Sequence, residues 1–260
     1  MKALVTGGTG GIGYGVATQL IAAGWDVTIV GRNSTRGAKI AAETGAQFLQ
    51  ADLSRLSEVK LVAECITGPI DALVLCAGIF QPEEIHTVEG HELTFATNYL
   101  GWFALSQLLL DQMNLDGCIT MISGNGQHKN VSTDWAAPRS GMQAARTAAL
   151  AVDLYAAELA VQAPQIRVHT VYPGIVKTDL LRDAPWLMRA FIQLFGISVE
   201  RGSAHVTRLI TNHHDGIHWN KGEPMRFSPP LPVAAAGALL DYSRAQLERL
   251  TIAATRDDAA

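Results

Sequence analysis

Three observations predict a doubly wound parallel α/β sheet built as a single domain over residues 1–260. Strand-like and helix-like segments alternate from the first residue, several strand-like runs are almost continuously apolar, and a glycine cluster separates the first strand from the first helix. A chain of 260 residues with 48% apolar and 17% charged residues suits a large core with helices on both faces of a sheet.

The elements follow in order. Lys2–Thr6 is a short apolar strand, then come the glycine loop and a helical pattern through Gly24. Residues 26–30 form a second strand, and the helix over about 34–44 opens with Ser34 as its expected N-cap. Residues 46–50 are a third strand and 54–67 a helix. Residues 70–76 are nearly all apolar, the pattern of a strand buried on both faces. A long helix over about 92–114, a strand at 118–123, a helix over about 141–163 and a strand at 166–172 complete the alternation, which calls for right-handed crossovers. Beyond Pro173-Gly174 the pattern loosens: an apolar helical stretch at 179–195, a helix at 199–212, an irregular proline-rich segment at 224–232, a last amphipathic helix at 241–251 and a frayed tail at 253–260.

Composition excludes several function classes. The net charge of -4 and the lack of a basic track argue against nucleic acid as a partner. Cys65, Cys76 and Cys118 are odd in number and show no metal-type spacing, as expected of small buried hydrophobes in a reducing compartment. The apolar segment near 144–163 is interrupted by Arg146, Asp153 and Glu158, so no membrane span is expected. The apolar run at the start is too short for a signal peptide, and the expected location is the cytoplasm.

Thr6-Gly7-Gly8-Thr9-Gly10-Gly11-Ile12-Gly13 lies between the first strand and the first helix. Its glycines let the backbone approach a pyrophosphate, and the helix start offers free N–H groups and a positive dipole end. A strand before it, a helix after it and βαβ units beyond it are the setting of a dinucleotide-phosphate loop. Gly7, Thr9, Gly10, Gly11, Ile12 and Gly13 are therefore candidate cofactor contacts.

On these residues the chain resembles the short-chain dehydrogenase/reductase family, whose fold is Rossmann-like. TGGTGGIG is similar to the family's TGxxxGIG fingerprint, and the likeness continues in order to about residue 210. The resemblance implies that Asp52 and Leu53 meet the adenine. It sets Cys76-Ala77-Gly78 where the family reads Asn-Ala-Gly, which makes Ala77 and Gly78 cofactor contacts. It makes Asn98 the asparagine of the fourth crossover helix and Ser123 the serine at the end of its strand. Pro173, Gly174, Val176 and Thr178 match the loop that holds the nicotinamide carboxamide in the family. At the end of the second strand, Arg32 and Asn33 stand where an NAD-selecting enzyme places a carboxylate, and an arginine there neutralises a 2′-phosphate. NADP(H) is the expected cofactor.

The resemblance fails where the chemistry should be. The family's YxxxK pair has no counterpart, because residues 137–148 contain neither tyrosine nor lysine. One register puts Ser140 and Ala144 at the pair, another Met142 and Arg146. The candidates for proton exchange are then Ser123, Tyr172, His128 and Asn98. His128 lies in a polar loop, and histidine as a residue type has an unperturbed pKa near neutrality; its alternative is an exposed loop histidine. Asn98 is alternatively structural, and Tyr155 and His169 are read as packing residues. His213, His214 and His218 invite a metal, but Asp215-Gly216 breaks the helix that would align them, so a surface turn and no metal are expected.

Residues 178–200 are expected to form a substrate lid, with Leu180, Leu181, Trp186, Leu187, Met188, Phe191 and Phe195 implying a small, largely apolar ligand, or else simple packing. Three functions remain open. One is an NADP(H)-dependent oxidoreductase with a displaced proton donor, in a biosynthetic role. The second is a non-redox enzyme (cyclase, isomerase or eliminase) that keeps the nucleotide as structure. The third is a nucleotide-responsive regulatory protein. The redox reading stands first because the cofactor-binding segments are so well kept. The helices at about 92–114 and 141–163 pair subunits in relatives, and Ala104, Leu108, Ala148, Ala149, Val152 and Ala156 on them predict a homodimer or homotetramer.

Overall fold

A computed structural model of the protein describes residues 1–137, 139–181 and 186–257. Its strands are β1 (Lys2–Thr6), β2 (Asp26–Gly31), β3 (Gln47–Gln50), β4 (Ile70–Leu75), β5 (Met113–Ile122), β6 (Arg167–Tyr172), β7 (His218–Asn220) and β8 (Glu223–Pro224). The helices are α1 (Gly11–Ala22), α2 (Ser34–Thr44), α3 (Leu56–Cys65), α4 (Leu93–Phe95), α5 (Gly101–Leu109), α6 (Gly141–Gln162), α7 (Trp186–Phe195), α8 (Val199–Thr211) and α9 (Ala236–Asp257). The strands join in one sheet in the order β3-β2-β1-β4-β5-β6-β7-β8, parallel except for the β7–β8 pair. This is the doubly wound architecture expected, with the order reversing between β1 and β4. A crevice at the carboxyl ends of those two strands follows from that topology.

Period-two alternation divides the core between the two faces. Leu4, Leu73, Leu75, Ile119 and Met121 pack under α3, α5, α6 and α9, whereas Val5, Ile29, Ala72, Val74 and Val171 pack under α1 and α8. Each fully buried side chain of this size contributes about 1.5–3 kcal/mol. Both faces being covered explains why β4 reads as an unbroken apolar run.

The structure corrects several boundaries. Asn33, not Ser34, caps α2: its Oδ1 accepts from the Arg36 backbone N–H at 2.8 Å. β5 begins at Met113, five residues earlier than its apolar run, because Asn114 donates to the Asp71 carboxylate at 2.7 Å and the Asp116 N–H reaches the Gln165 carbonyl at 3.0 Å. β7 is three residues long, too short for a periodic signal, and it takes His218 out of the expected surface turn. α9 starts at Ala236 and runs to Asp257, past the start of the expected frayed tail.

α9 also changes the view of the helices expected to pair subunits. It packs on α6 and α5, and Ala104, Ala148, Val152 and Ala156 are buried within the chain itself. Those four residues are not a free face for a second subunit. Among the described residues no helix is long and apolar enough to cross a membrane.

His169, on β6, is structural as read. It is almost fully buried, and its Nδ1–H donates to the Gly216 carbonyl at 2.9 Å. Burial pushes its pKa from 6.5 down to about 4, against the raising effect of that bond. In that interval the unfolded chain binds a proton that the folded one does not, so stability falls as pH drops from about 6.5 toward 4. Replacing His169 with Asn should flatten that loss by at most about 3 kcal/mol, read from urea unfolding at neutral and acidic pH.

Candidate functional site

The site grows from the turn between β1 and α1. The Thr6 hydroxyl accepts from the backbone N–H groups of Cys76 and Ala77, at 3.0 and 3.1 Å, and ties the end of β1 to the end of β4. Gly7, at φ 67°, lets its backbone lie against Ala77, where a Cβ would come within 2.8 Å. Gly13 packs on the Gly7 carbonyl, which would stand 2.5 Å from a Cβ. α1 starts at Gly10 without a side-chain cap and with no acidic residue in its first turn, so its first N–H groups and positive dipole end are free for an anion.

Above this turn lies a cavity of about 610 Å³. Gly7, Thr9, Gly10, Gly11, Ile12, Arg32, Asp52, Leu53, Ala77, Gly78 and Thr178 all line it, as the sequence leads one to expect. The Cβ built on Gly78 meets nothing closer than 3.5 Å, and Thr178 reaches across to Gly11. Five expected contacts are elsewhere. Gly13 supports the turn from behind, Asn33 uses its oxygen as a helix cap, and Pro173 is buried. Gly174 lies against the Lys221 side chain, and Val176 packs on Gly202 and bridges to Ile197. Arg36 was not foreseen. Its guanidinium runs past Gly10, with Nη2 2.8 Å from where a Cβ would sit, and it joins Arg32 on the cavity wall. The four-residue spacing from Arg32 was the available signal. Two guanidinium groups beside an uncapped helix start fit a ligand with several phosphates.

The four proton-exchange candidates do not converge. Ser123 lines the cavity, and its Oγ donates to the Ala149 carbonyl at 3.3 Å. Asn98 also lines it, from a π-helical turn spanning Ala96–Leu100. Its amide is occupied, accepting from the Ile79 N–H at 2.9 Å and donating to the Ile79 carbonyl at 3.0 Å. Tyr172 is half-buried and off the cavity wall, and burial raises its phenol pKa. His128 is neither on the wall nor an exposed loop residue. It is 6% exposed, with Nε2 3.0 Å from Asp153 Oδ2.

On α6 the cavity meets Met142, Ala145, Ala148, Ala149 and Val152. Of the two registers, Ser140–Ala144 has Ala144 buried off the wall, while Met142–Arg146 puts Met142 on the wall and turns the Arg146 guanidinium to the Lys129 carbonyl at 2.7 Å. Among the described residues, no ionisable group of α6 lines the cavity. Asp52 and Asp179 line the cavity from other elements, and α6 carries Asp153, fully buried one position beyond Val152 and missed as a site residue in the sequence, where it interrupts an apolar run. Burial pushes its carboxyl up, but the hydrogen bond with His128 and the Coulombic effect of nearby His218 outweigh that and hold it below the usual value.

The remaining wall is apolar, with Phe80, Leu93, Trp102, Ile122 and Leu180. Cys76 also faces the cavity, and burial pushes its thiol up to about 12, so it is no nucleophile at neutral pH. The residues expected to form the lid divide between the cavity and the surface. Leu180 reaches the cavity, but Trp186, Leu187, Phe191 and Phe195 stand 51–72% exposed on α7. Residues 182–185 and the side chains of Leu181 and Met188 lie outside the described residues. Among the described residues no cluster of metal ligands occurs.

A glycine loop at the switch point of a doubly wound sheet defines a Rossmann-type nucleotide-binding protein as a class. The family described as short chain dehydrogenase matches residues 1–185, and the chain belongs to that family. It is 30% identical to polyprenol dehydrogenase of Homo sapiens over 218 residues, which cover 75% of this chain and 66% of that protein. It is 32% identical to the chloroplastic protochlorophyllide reductase of Daucus carota over 123 residues, 43% of this chain and 31% of that one. Among solved structures, a short chain dehydrogenase from Burkholderia cenocepacia in complex with NADP superposes with a TM-score of 0.68 at 23% identity, covering 84% of this chain and 94% of that one.

The contact between Gly13 and the Gly7 carbonyl gives a direct test. Gly13→Ala should destabilise the fold by about 1–3 kcal/mol through overpacking, seen as a lower thermal midpoint, with weakened binding of dinucleotide in titration.

Proposed function

We propose that this protein is an NADP(H)-dependent oxidoreductase acting on a small, largely apolar molecule, with Ser123 exchanging a proton with the substrate oxygen. The observation that carries the reading is one continuous cavity with Arg32 and Arg36 at the β2 end, Ser123 at the end of β5 and an apolar wall between α4, α5 and α6. Arg32 and Arg36 hold the 2′-phosphate, and the first N–H groups of α1 hold the pyrophosphate. Asp52 and Leu53 contact the adenine, and Ala77, Gly78 and Thr178 flank the nicotinamide end. When bound, NADPH supplies the hydride. Asn98 keeps the loop after β4 in place at Ile79, and Phe80, Leu93 and Trp102 exclude water from the reacting carbonyl. The Ser123 hydroxyl then lies closest to the role of proton donor, since His128 and Tyr172 are not on the wall.

The bare α6 face supports a second reading, a non-redox enzyme of the cyclase, isomerase or eliminase type that keeps the nucleotide as a wall. A regulatory role without catalysis fits a cavity with so largely apolar a wall less well.

The separating experiment is single-turnover absorbance of reduced nicotinamide with purified protein, NADPH and a panel of apolar ketones and enals. The expected outcome is binding together with consumption. Binding without consumption, with rearranged product in the mixture, would remove the redox reading. Arg32→Glu should lower NADPH affinity about 10- to 100-fold by loss of charge-assisted hydrogen bonds, with a smaller effect on NADH.

A further inference from the structure

We infer that Asp153, His128 and His218 form a buried proton relay that ends on Ser123 and replaces the tyrosine and lysine this chain lacks. The inference rests on the oxidoreductase reading above.

Asp153 stands in the middle of α6, with its side chain 0% exposed. Every polar group that faces it comes from a different element. His128, from the loop after β5, places Nε2 3.0 Å from Oδ2. His218, from β7, places Nδ1 3.7 Å from Oδ1 and 2.8 Å from the Thr170 hydroxyl. Ser123, at the end of β5, donates to the Ala149 carbonyl at 3.3 Å, one helical turn before Asp153 on α6, which brings its hydroxyl to the same stretch of the helix.

Taking a carboxylate out of water costs several kcal/mol unless it is fully partnered. Here it is not: Oδ1 has no hydrogen-bond partner at normal distance, and His218 is held just beyond reach of it. A structural ion pair gains nothing from such a gap. A relay does, because a small turn of the His218 ring closes it when a proton moves. The two histidines divide the work. His128 is 3% exposed in its side chain and fixes Oδ2, so it orients the carboxylate. His218 is 15% exposed and is the point where a proton comes in from water. Phe227 stacks on His128 with centroids 5.7 Å apart and meets His218 edge-on at 4.8 Å, which shields the pair on that side.

The step balances as follows. In reduction the carbonyl carbon gains a C–H bond from the hydride of NADPH, and the π electron pair moves to oxygen. That oxygen takes the Ser123 hydroxyl proton. Ser123 recovers a proton across Asp153 from the His218 N–H, and His218 is reprotonated by water. Each turnover oxidises one NADPH to NADP⁺ and removes one proton from solvent. Ser123 is the catalytic residue; Asp153, His128 and His218 act through it as positioning and relay residues.

The test uses the full chain with NADPH and all-trans-farnesal as probe under steady-state turnover. His218→Ala should lower kcat about 100-fold, the scale of a lost acid–base group, with KM and NADPH affinity unchanged. Added imidazole should restore most of that loss, because the position opens to solvent. Asp153→Asn should show the same split without rescue; if it does not fold, His218→Gln carries the test in its place. A His218→Ala protein as fast as wild type, or one slowed but not rescued, overturns the relay while leaving the oxidoreductase reading intact. Wild type that binds NADPH and does not consume it with the probe overturns the relay together with that reading.

Discussion

The backbone contact at the carboxyl ends of β1 and β4 is the constraint on which the rest of this molecule depends. Gly13 sits so close to the Gly7 carbonyl, and Gly7 so close to Ala77, that neither position has room for a Cβ. Thr6 locks the same seam from the side through its two accepted hydrogen bonds. Because the seam closes, α1 starts directly over the switch point and points its unpaired N–H groups into the crevice. Arg32 at the end of β2 and Arg36 in the first turn of α2 then meet that helix start across Gly10. The phosphate-sized and basic end of the cavity is thus a consequence of backbone proximity, achieved by the residue with no side chain.

The other end of the cavity follows a different logic. α6 lies over β5 with Ala145, Ala148 and Ala149 toward the site, and these small apolar side chains leave its wall without a polar group. What polar character remains has moved behind the wall. Asp153 is one residue along the helix from Val152, which still faces the cavity, so a rotation of about 100° per residue places its carboxylate among β5, β6 and β7 instead. The buried acid and its histidines sit close to Ser123 without touching the ligand space.

Much of the architecture was legible in the residue order. β4 and β6 were visible as apolar runs, α6 as a long alanine-rich helix, and the glycine loop by its position between strand and helix. The boundaries that went wrong are those decided by partners distant in sequence. β5 gained its first residues through Asp71 and Gln165, and β7 exists because β6 offers it an edge. α9 packs on α6 and α5, and Ala148 and Ala156 are buried within the chain, so neither offers a subunit face.

At the site, the sequence by itself determined the phosphate-binding turn, Arg32 and the absence of a tyrosine–lysine pair, because each is a matter of residue type at a fixed spacing along one or two neighbouring elements. Only the tertiary structure decided where the histidines went. His128 lies in a polar loop and His218 beyond a Gly turn, and nothing local distinguishes either from a solvated residue. Both are drawn inward by a single carboxylate 25 residues from one and 65 from the other, on a helix that the sheet topology places between them. A charge buried in a core must find its partners in space, and spacing along the chain does not record that search.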